Sequence, residues 1–452
     1  MFKRRLSRRE FLKTAAGAAA GMAVLSACGP AATTVPAPTT APATAAPTTA
    51  AATMAPTTAP TSSGPVKLTV WDWYDETKDV LNKAASDFTQ ANPNIIVTHY
   101  VDDAVYLTDL TAQLTGGVGP DIFGPNILAI QLGQAGRIID LIPALGEDFL
   151  ATFFAPTRRQ FTANGKQYAM GWMAQTLGFF YNPALFAKAG ITNVPETWDD
   201  FITVCQKIKA AGIIPWSFGD SDKWEGGDFF LPFITQAADN QDLTYELDDH
   251  TQSGISWNSQ PVIDALTMFD KLMKAQITEN GVNGTAWQDA TTLFYGGKAA
   301  MFYSGSWQIA DIATNAPKDL ASSYQIFENP AWAPGKRHWC ADQAGAAFSV
   351  NAEGHIPESL QFIKYIYDPQ RYSTMMNTAF SMPSTIAGAK LVQDPHLQLM
   401  TSWMVDGCNH ILFGKGSSDA VTNNIQNIID QSKTPAQVAA QIEKDVLTSR
   451  SQ

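Results

Sequence analysis

Phe180-Tyr181-Asn182-Pro183-Ala184-Leu185-Phe186-Ala187-Lys188-Ala189-Gly190-Ile191, and after three further residues Pro195-Glu196-Thr197-Trp198-Asp199-Asp200, is the stretch that decides the fold. Leu177 to Tyr181 is an apolar run of strand length. Pro183 suits the first turn of a helix, and Gly190 closes it. Thr197 can cap the next helix with Asp200 three residues on, and Trp198, Phe201, Ile202, Cys205 and Ile208 then fall on one face until Gly212. The chain on either side repeats the theme. Val66 to Trp71 alternates and then runs apolar, a strand entering a buried sheet. Glu76 to Gln90 is a helix pattern broken at Asn92-Pro93-Asn94; Ile95 to Thr98 is a second strand, Leu107 to Leu114 a second helix and Asp121-Ile122-Phe123 a third strand. Downstream, Ile213 to Trp216 begins an extended segment, Thr292 to Lys298 reads as helix and loop, Ala299 to Tyr303 as strand and Glu358 to Tyr367 as helix. Thr434, Pro435 and Gln437 open a last helix to about Leu447. Strands alternating with helices imply right-handed crossovers and an α/β fold with a largely parallel sheet.

The chain has 452 residues, 45% of them hydrophobic and 11% aromatic, with a net charge of −12. Residues 1–27 carry six basic residues and one acid, so the rest stands at −12 − 5 = −17. A body that acidic is a poor match for a phosphate backbone, which argues against nucleic-acid binding. No apolar run reaches the ~18–20 residues of a membrane span. At the N-terminus, Ser7-Arg8-Arg9-Glu10-Phe11-Leu12-Lys13 looks like a twin-arginine export signal, and Leu25-Ser26-Ala27-Cys28 resembles a lipobox, in which Cys28 would be acylated as a membrane anchor. Residues 29–65 are Ala, Thr and Pro with no charge, a composition that buries no core and reads as a disordered tether. Cys205, Cys340 and Cys408 remain, without a CxxC; a Cys340–Cys408 bridge is one option, and free buried thiols are the reading preferred here.

The ordered pieces resemble the family 1 extracellular solute-binding proteins of ABC importers, the group that contains maltose-binding proteins. Leu68-Thr69-Val70-Trp71, Ala91-Asn92-Pro93-Asn94-Ile95 and Gly119-Pro120-Asp121-Ile122 resemble its first three strands and their turns. Gly165 to Ala169, the Phe180–Ile191 and Pro195–Asp200 blocks, and Gly297-Lys298-Ala299-Ala300-Met301 with Ser304-Gly305-Ser306-Trp307 follow in family order. The resemblance implies a two-lobed, hinged fold of the periplasmic-binding-protein class II type, each lobe a mainly parallel sheet flanked by helices. The chain would cross near Ala174 and Gly345 and return near Ser384. That gives lobes of 66–174 plus 346–384 and of 175–345 plus 385–448, closing on a ligand in the cleft. It further implies a lipid-anchored monomer on the extracytoplasmic face of the membrane, handing its ligand to an ABC permease. Export in the folded state would leave the cytoplasm to set the thiols, which disfavours a disulfide.

Sugars offer C–H faces to aromatic rings and hydroxyls to fixed donors and acceptors. Twelve Trp residues make a carbohydrate, mono- or oligosaccharide, the expected ligand. Trp73 and Tyr74 follow the first strand on a polar loop; Asn126 follows the third. Gln175 lies at the first crossing, and Trp224-Glu225 sits in a polar, Gly-rich loop, Asp220 to Asp228, where ring and carboxylate suit a diol. By family likeness Trp307 is the stacking aromatic; Trp339 and Asp342, with Gln343, precede the second crossing. Trp172 is divided between cleft and hinge packing, Trp332 is a weaker rim candidate, and Trp198, Trp257 and Trp287 are expected as packing.

No catalytic residue, metal or cofactor is expected. His338-x-Cys340 and Cys408-x-His410 are far from zinc spacing. Gly297-Lys298 is followed by Ala299 and position 292 is Thr, so the phosphate-loop pattern fails at both ends. A strongly anionic ligand would call for Arg or Lys, and the candidate loops hold few: Lys78, Lys223, Lys336 and Arg337. Competing readings are the same fold binding a polyamine, glycerol phosphate or other osmolyte, a sensory lipoprotein passing its ligand to a receptor, and a secreted glycoside hydrolase using a carboxylate pair.

Overall fold

The computed structural model describes residues 64–101, 106–249, 255–404, 408, 412, 414 and 416–451. The export signal, Cys28 and all but the last two residues of the 29–65 tether lie outside these. Among the described residues no helix is long and apolar enough to cross a membrane.

Among the described residues eleven strands form: β1 (Val66–Asp72), β2 (Ile95–Val101), β3 (Ile122–Phe123), β4 (Thr162–Ala163), β5 (Lys166–Gln167), β6 (Met170–Tyr181), β7 (Ile214–Ser217), β8 (Ala299–Gly305), β9 (Gln325–Phe327), β10 (Asp342–Val350) and β11 (Met382–Pro383). The main sheet runs β2-β1-β3-β10-β6-β8-β7, with β9 and β11 also pairing to β6. At each end the neighbours are parallel, β2-β1-β3 on one side and β8-β7 on the other, as strand–helix–strand units require. In the middle, β6 and β10 run antiparallel. These two strands carry the architecture. The first half of β6 pairs with β10 and β11, and its second half with β8 and β9.

Two main apolar cores flank this junction. One is built on Leu68, Val70, Phe88, Ile122, Trp172, Phe348 and Phe362; the other on Phe179, Trp198, Phe201, Trp216, Phe229 and Phe269. Each core gathers helices whose apolar faces are spaced for it. Helix α1 (Lys78–Ala91) buries Leu81, Ala84, Ala85 and Phe88. Helix α2 (Trp198–Ala210) begins on a capping box in which Thr197 and Asp200 satisfy each other's backbone N–H. The last helix opens as expected, with the Gln437 amide oxygen accepting from the Thr434 N–H at 2.9 Å, and it extends to Ser451.

Two expectations change. The apolar strand read from Leu177 starts seven residues earlier, at Met170, because Met170, Trp172 and Met173 enter the first core before Leu177 and Phe179 enter the second. The Asp220–Asp228 stretch is not all loop: helix α3 (Trp224–Ala238) begins inside it and buries nearly its whole length. Gly226 and Gly227, poor helix formers, are there for close packing. A Cβ on Gly226 would sit 2.7 Å from the Ile425 side chain, and one on Gly227 3.0 Å from Thr422. Both neighbours belong to a later helix, Ser417–Ile429. Cys205, Cys340 and Cys408 are free and buried. Burial pushes the thiols of all three upward in pKa, which makes them inert.

Candidate ligand-binding site

A cavity of about 420 Å³ lies where elements from both sides of the β6–β10 junction meet. That size falls within the range for small-molecule sites. Asn126 and Ile127 reach it from just beyond β3, Gln175 from the middle of β6, and Trp307 from just beyond β8. Helix α3 supplies Trp224, Gly227, Asp228 and Leu231, and the Ser417–Ile429 helix supplies Ser418, Val421 and Thr422. Leu412 and Trp287 complete the wall. Most of the wall is apolar, and the polar groups are few and convergent.

Three indoles dominate it. The ring of Trp224 stands 6.2 Å from that of Trp287 and 6.1 Å from that of Trp307, tilted by 47° and 62°. Each is half-buried, so each has a face left for a ligand. Their positions are fixed from below. Trp307 lies against the backbone of Gly305: a Cβ there would come within 1.8 Å of the ring. Trp287 opens a helix, Trp287–Tyr295, whose first N–H donates to Asp222 Oδ2 at 3.0 Å, and its ring rests on Phe302 at 6.2 Å. Trp224 starts α3 behind Lys223, which adopts a left-handed backbone with φ 71°.

The polar groups are equally placed by backbone. Gly345 bulges out of the β6–β10 register, and the Gln175 side chain folds over it. A Cβ on Gly345 would fall 1.7 Å from Gln175 Cδ, so only glycine lets Gln175 lie there. Asn126 has φ 48°, a left-handed conformation Asn tolerates, and its Oδ1 accepts the Ile127 N–H at 2.7 Å.

Beside the main cavity, behind Trp224, Asp228 and Trp287, is a void of about 10 Å³, also walled by Glu225, Ser217, Ser304 and Tyr303. Glu225 is 7% exposed, and neither carboxyl oxygen has a hydrogen-bond partner. Burial, with Asp220, Asp222 and Asp228 nearby, pushes its pKa up to about 9, and burial raises Asp220 to about 7. Asp220 Oδ1 accepts the Gly226 N–H at 2.8 Å and so anchors the start of α3.

Of the nine residues singled out in the sequence, Asn126, Gln175, Trp224 and Trp307 line the main cavity, and Glu225 lines the adjoining void. The other four stand elsewhere. Tyr74 is buried, its hydroxyl donating to the Ala347 carbonyl and accepting the Ala347 N–H, both at 2.9 Å. Trp73 packs on Tyr74 and Tyr106 with centroids 4.5 and 4.9 Å away, over Gly124. These two rings cover the end of the sheet because Gly124 leaves them the space. Trp339 is buried under the Arg337 guanidinium at 4.5 Å. Asp342 is fully buried, with neither oxygen hydrogen-bonded; Thr176 stands opposite it in the strand register. Trp172 packs in the first core, donating to Thr77 Oγ1 at 3.0 Å.

Trp287, expected as packing, does pack against a core that holds Phe294 and Phe302, and it lines the cavity as well. It sits on the polar run Asn283-Gly284-Thr285-Ala286, the same kind of context that singled out Trp73 and Trp224. Among the described residues no group of three or more His, Cys, Asp or Glu could hold a metal ion.

A family model described as "Bacterial extracellular solute-binding protein" matches residues 74–371. The "Multiple sugar-binding protein" of Streptococcus mutans is 24% identical over 361 residues, covering 77% of this chain and 82% of that one. Among solved structures, a chitin oligosaccharide binding protein matches with a TM-score of 0.72 at 21% identity, covering 86% of this chain and all of that one. RafE of Streptococcus pneumoniae matches with a TM-score of 0.71 at 19% identity, over 86% of this chain and 99% of that one. At these identities the structural likeness concerns the fold, which is the two-lobed, maltose-binding-protein-like one.

Proposed function

The chain belongs to the bacterial extracellular solute-binding proteins, and from that premise we propose that it captures a carbohydrate between its lobes and delivers it to an ABC permease. The lobes are taken as 66–174 plus 346–384 and 175–345 plus 385–448, with β6, β10 and β11 as the three passages between them. The observation that carries the reading is the convergence of Trp224, Trp287 and Trp307 with Gln175 and Asn126 on one cavity of about 420 Å³. Indole faces suit the C–H faces of sugar rings, and amides offer both donors and acceptors to hydroxyls. No basic side chain lines the cavity among the described residues, which disfavours an anionic solute. A relative matched over 77% of this chain is named for binding multiple sugars, which supports the same substrate class.

The protein works outside the cytoplasm, as its family does. We further propose that Cys28 is its acylated N-terminus and that it acts as a monomer, releasing its ligand chemically unchanged. A thermal-shift screen against sugars, polyols, amino acids and polyamines tests the substrate class. A ligand that binds the folded state at a hundred times its Kd adds ~2.7 kcal/mol, enough to move the melting curve. A shift with a saccharide, recovered intact, is the expected result. A shift only with amino acids would refute it.

A further inference from the structure

Resting on the carbohydrate reading, we propose that the three-tryptophan cavity and the void behind it select a solute with a positively charged amino group, an amino sugar, whose ammonium is paired by Glu225. The void, at about 10 Å³, holds one water-sized group, and it shares Trp224, Asp228 and Trp287 with the main cavity, so a substituent on a ligand stacked there is placed beside it. Its wall contains a carboxyl that is more than nine-tenths buried and bonded to nothing. A buried polar group without a partner is costly and calls for an explanation. A ligand that supplies the partner is one.

The charge around Glu225 gives that ligand its sign. Asp220 and Asp222 face it from the preceding loop and Asp228 from the next turn of α3. Tyr303 faces the void from β8. The helices packed alongside, Trp287–Tyr295 and Ser417–Ile429, bring only Asp289 and Asp419 as charged side chains, both exposed and both acidic. The basic residue at this end is Lys223, exposed, with its Nζ donating to Asn423 Oδ1 at 2.6 Å. Glu225 therefore sits among acids, with no cation inside. The indoles of Trp287 and Trp307, each about 6 Å from that of Trp224, add the second half of the recognition, because an ammonium over a Trp face is attracted to it. A neutral hydroxyl in the same place would satisfy one carboxyl oxygen and leave the surrounding acidic field unanswered.

A linkage follows. In the empty site burial keeps the Glu225 carboxyl protonated at neutral pH. An arriving ammonium favours the carboxylate, so the carboxyl O–H bond breaks, the proton leaves to solvent and an ion pair forms. Binding of the charged ligand then tightens as pH rises towards 7, and binding of a neutral sugar does not.

Titration calorimetry on the full chain tests this with matched pairs: glucose and glucosamine, galactose and galactosamine, cellobiose and the β-1,4-linked glucosamine dimer, with ethanolamine as a non-sugar cation. Runs at pH 5.5 and 6.5, where an aliphatic amine stays charged, in two buffers of different ionisation enthalpy, give the proton count. The expected result is an amino sugar bound at least tenfold more tightly than its neutral parent at pH 6.5. Its affinity rises up to tenfold between the two pH values, with close to one proton released. Glu225→Gln should bring the ratio within a pair back towards one. The proton count on the natural chain stands independently of whether that variant folds. Neutral and amino sugars bound equally, without proton release, would overturn the inference and leave the carbohydrate reading standing. Ethanolamine bound with proton release, and no sugar bound, would support the cation site and remove the carbohydrate reading. No binding by any of them would overturn both.

Discussion

Trp307→Ala is the sharpest test of the cavity. An aromatic side chain can bury about 150–250 Å², and a ligand stacked on one face covers roughly half of that. At about 25 cal/mol per Å² the lost contact is worth about 2–3 kcal/mol, a 30- to 150-fold rise in Kd. The ring also packs against the second core and on Gly305, so the substitution will cost some stability as well. Two controls separate the effects. Far-ultraviolet dichroism and the melting curve without ligand report the fold. Trp307→Phe, which keeps an aromatic face, should recover most of the affinity. A second perturbation leaves the indole in place. Gly305→Ala would put a methyl group 1.8 Å from the ring and force it off its seat. It should weaken binding by a similar factor even though no ligand contact is removed. Calorimetry with a saccharide identified by the thermal screen measures all three. Unchanged affinity in Trp307→Ala would refute the stacking assignment. Unchanged affinity in Gly305→Ala alone would show that the ring position tolerates more freedom than its packing suggests.

Three further outcomes are expected. Gly345→Ala should displace Gln175 from the cavity and lose about 0.5–1.5 kcal/mol of binding, the worth of a neutral hydrogen bond; with Gln175→Ala it should be non-additive, since both remove one interaction, and strict additivity would sink the idea. Tyr74→Phe leaves the Ala347 N–H and carbonyl without their shared partner, so it should cost about 1–3 kcal/mol of stability and leave ligand affinity unchanged; a binding defect with normal stability would return Tyr74 to the site. Asp342 is raised by burial to about 8, Glu225 to about 9, and Asp220 and Glu279 to about 7. Folded pKa values above the ordinary carboxyl range of ~4 mean stability that is complete below pH 4 and is lost as pH climbs through 7 to 9. The ligand-free melting temperature should therefore fall from pH 5 to pH 9, and Asp342→Asn should lessen that fall; a melting temperature that rises over the interval would contradict both.

How far the sequence revealed the molecule depends on the range of the interactions concerned. The Phe180–Ile191 and Thr197–Asp200 blocks were legible because their causes are local. Asn182 caps its own helix by accepting the Ala184 N–H, and Thr197 and Asp200 cap each other across three residues. The start of helix α3, Trp224 to Asp228, reads as loop because its logic is distant. Gly226, Gly227 and Pro232 argue against a helix from nearby sequence. The glycines make sense only against Thr422 and Ile425, about two hundred residues on, and the apolar run Phe229 to Ile234 fills a core that Ile425 also enters. The site follows the same division. That tryptophan should line a cavity was readable from composition. Which tryptophans line it was not, because Trp73, Trp224 and Trp287 all stand in or beside polar loops, and the difference is made by what lies opposite. Gly124 opens a slot that draws Trp73 and Tyr74 down onto the sheet end. Trp224 and Trp287 find no such slot, and they are left leaning on each other at the mouth of a cavity. Gly305 decides Trp307 and Gly345 decides Gln175 in the same way, each by the side chain it lacks. The positions that aim this site are thus largely glycines, and their role becomes readable only once the opposing residue is known.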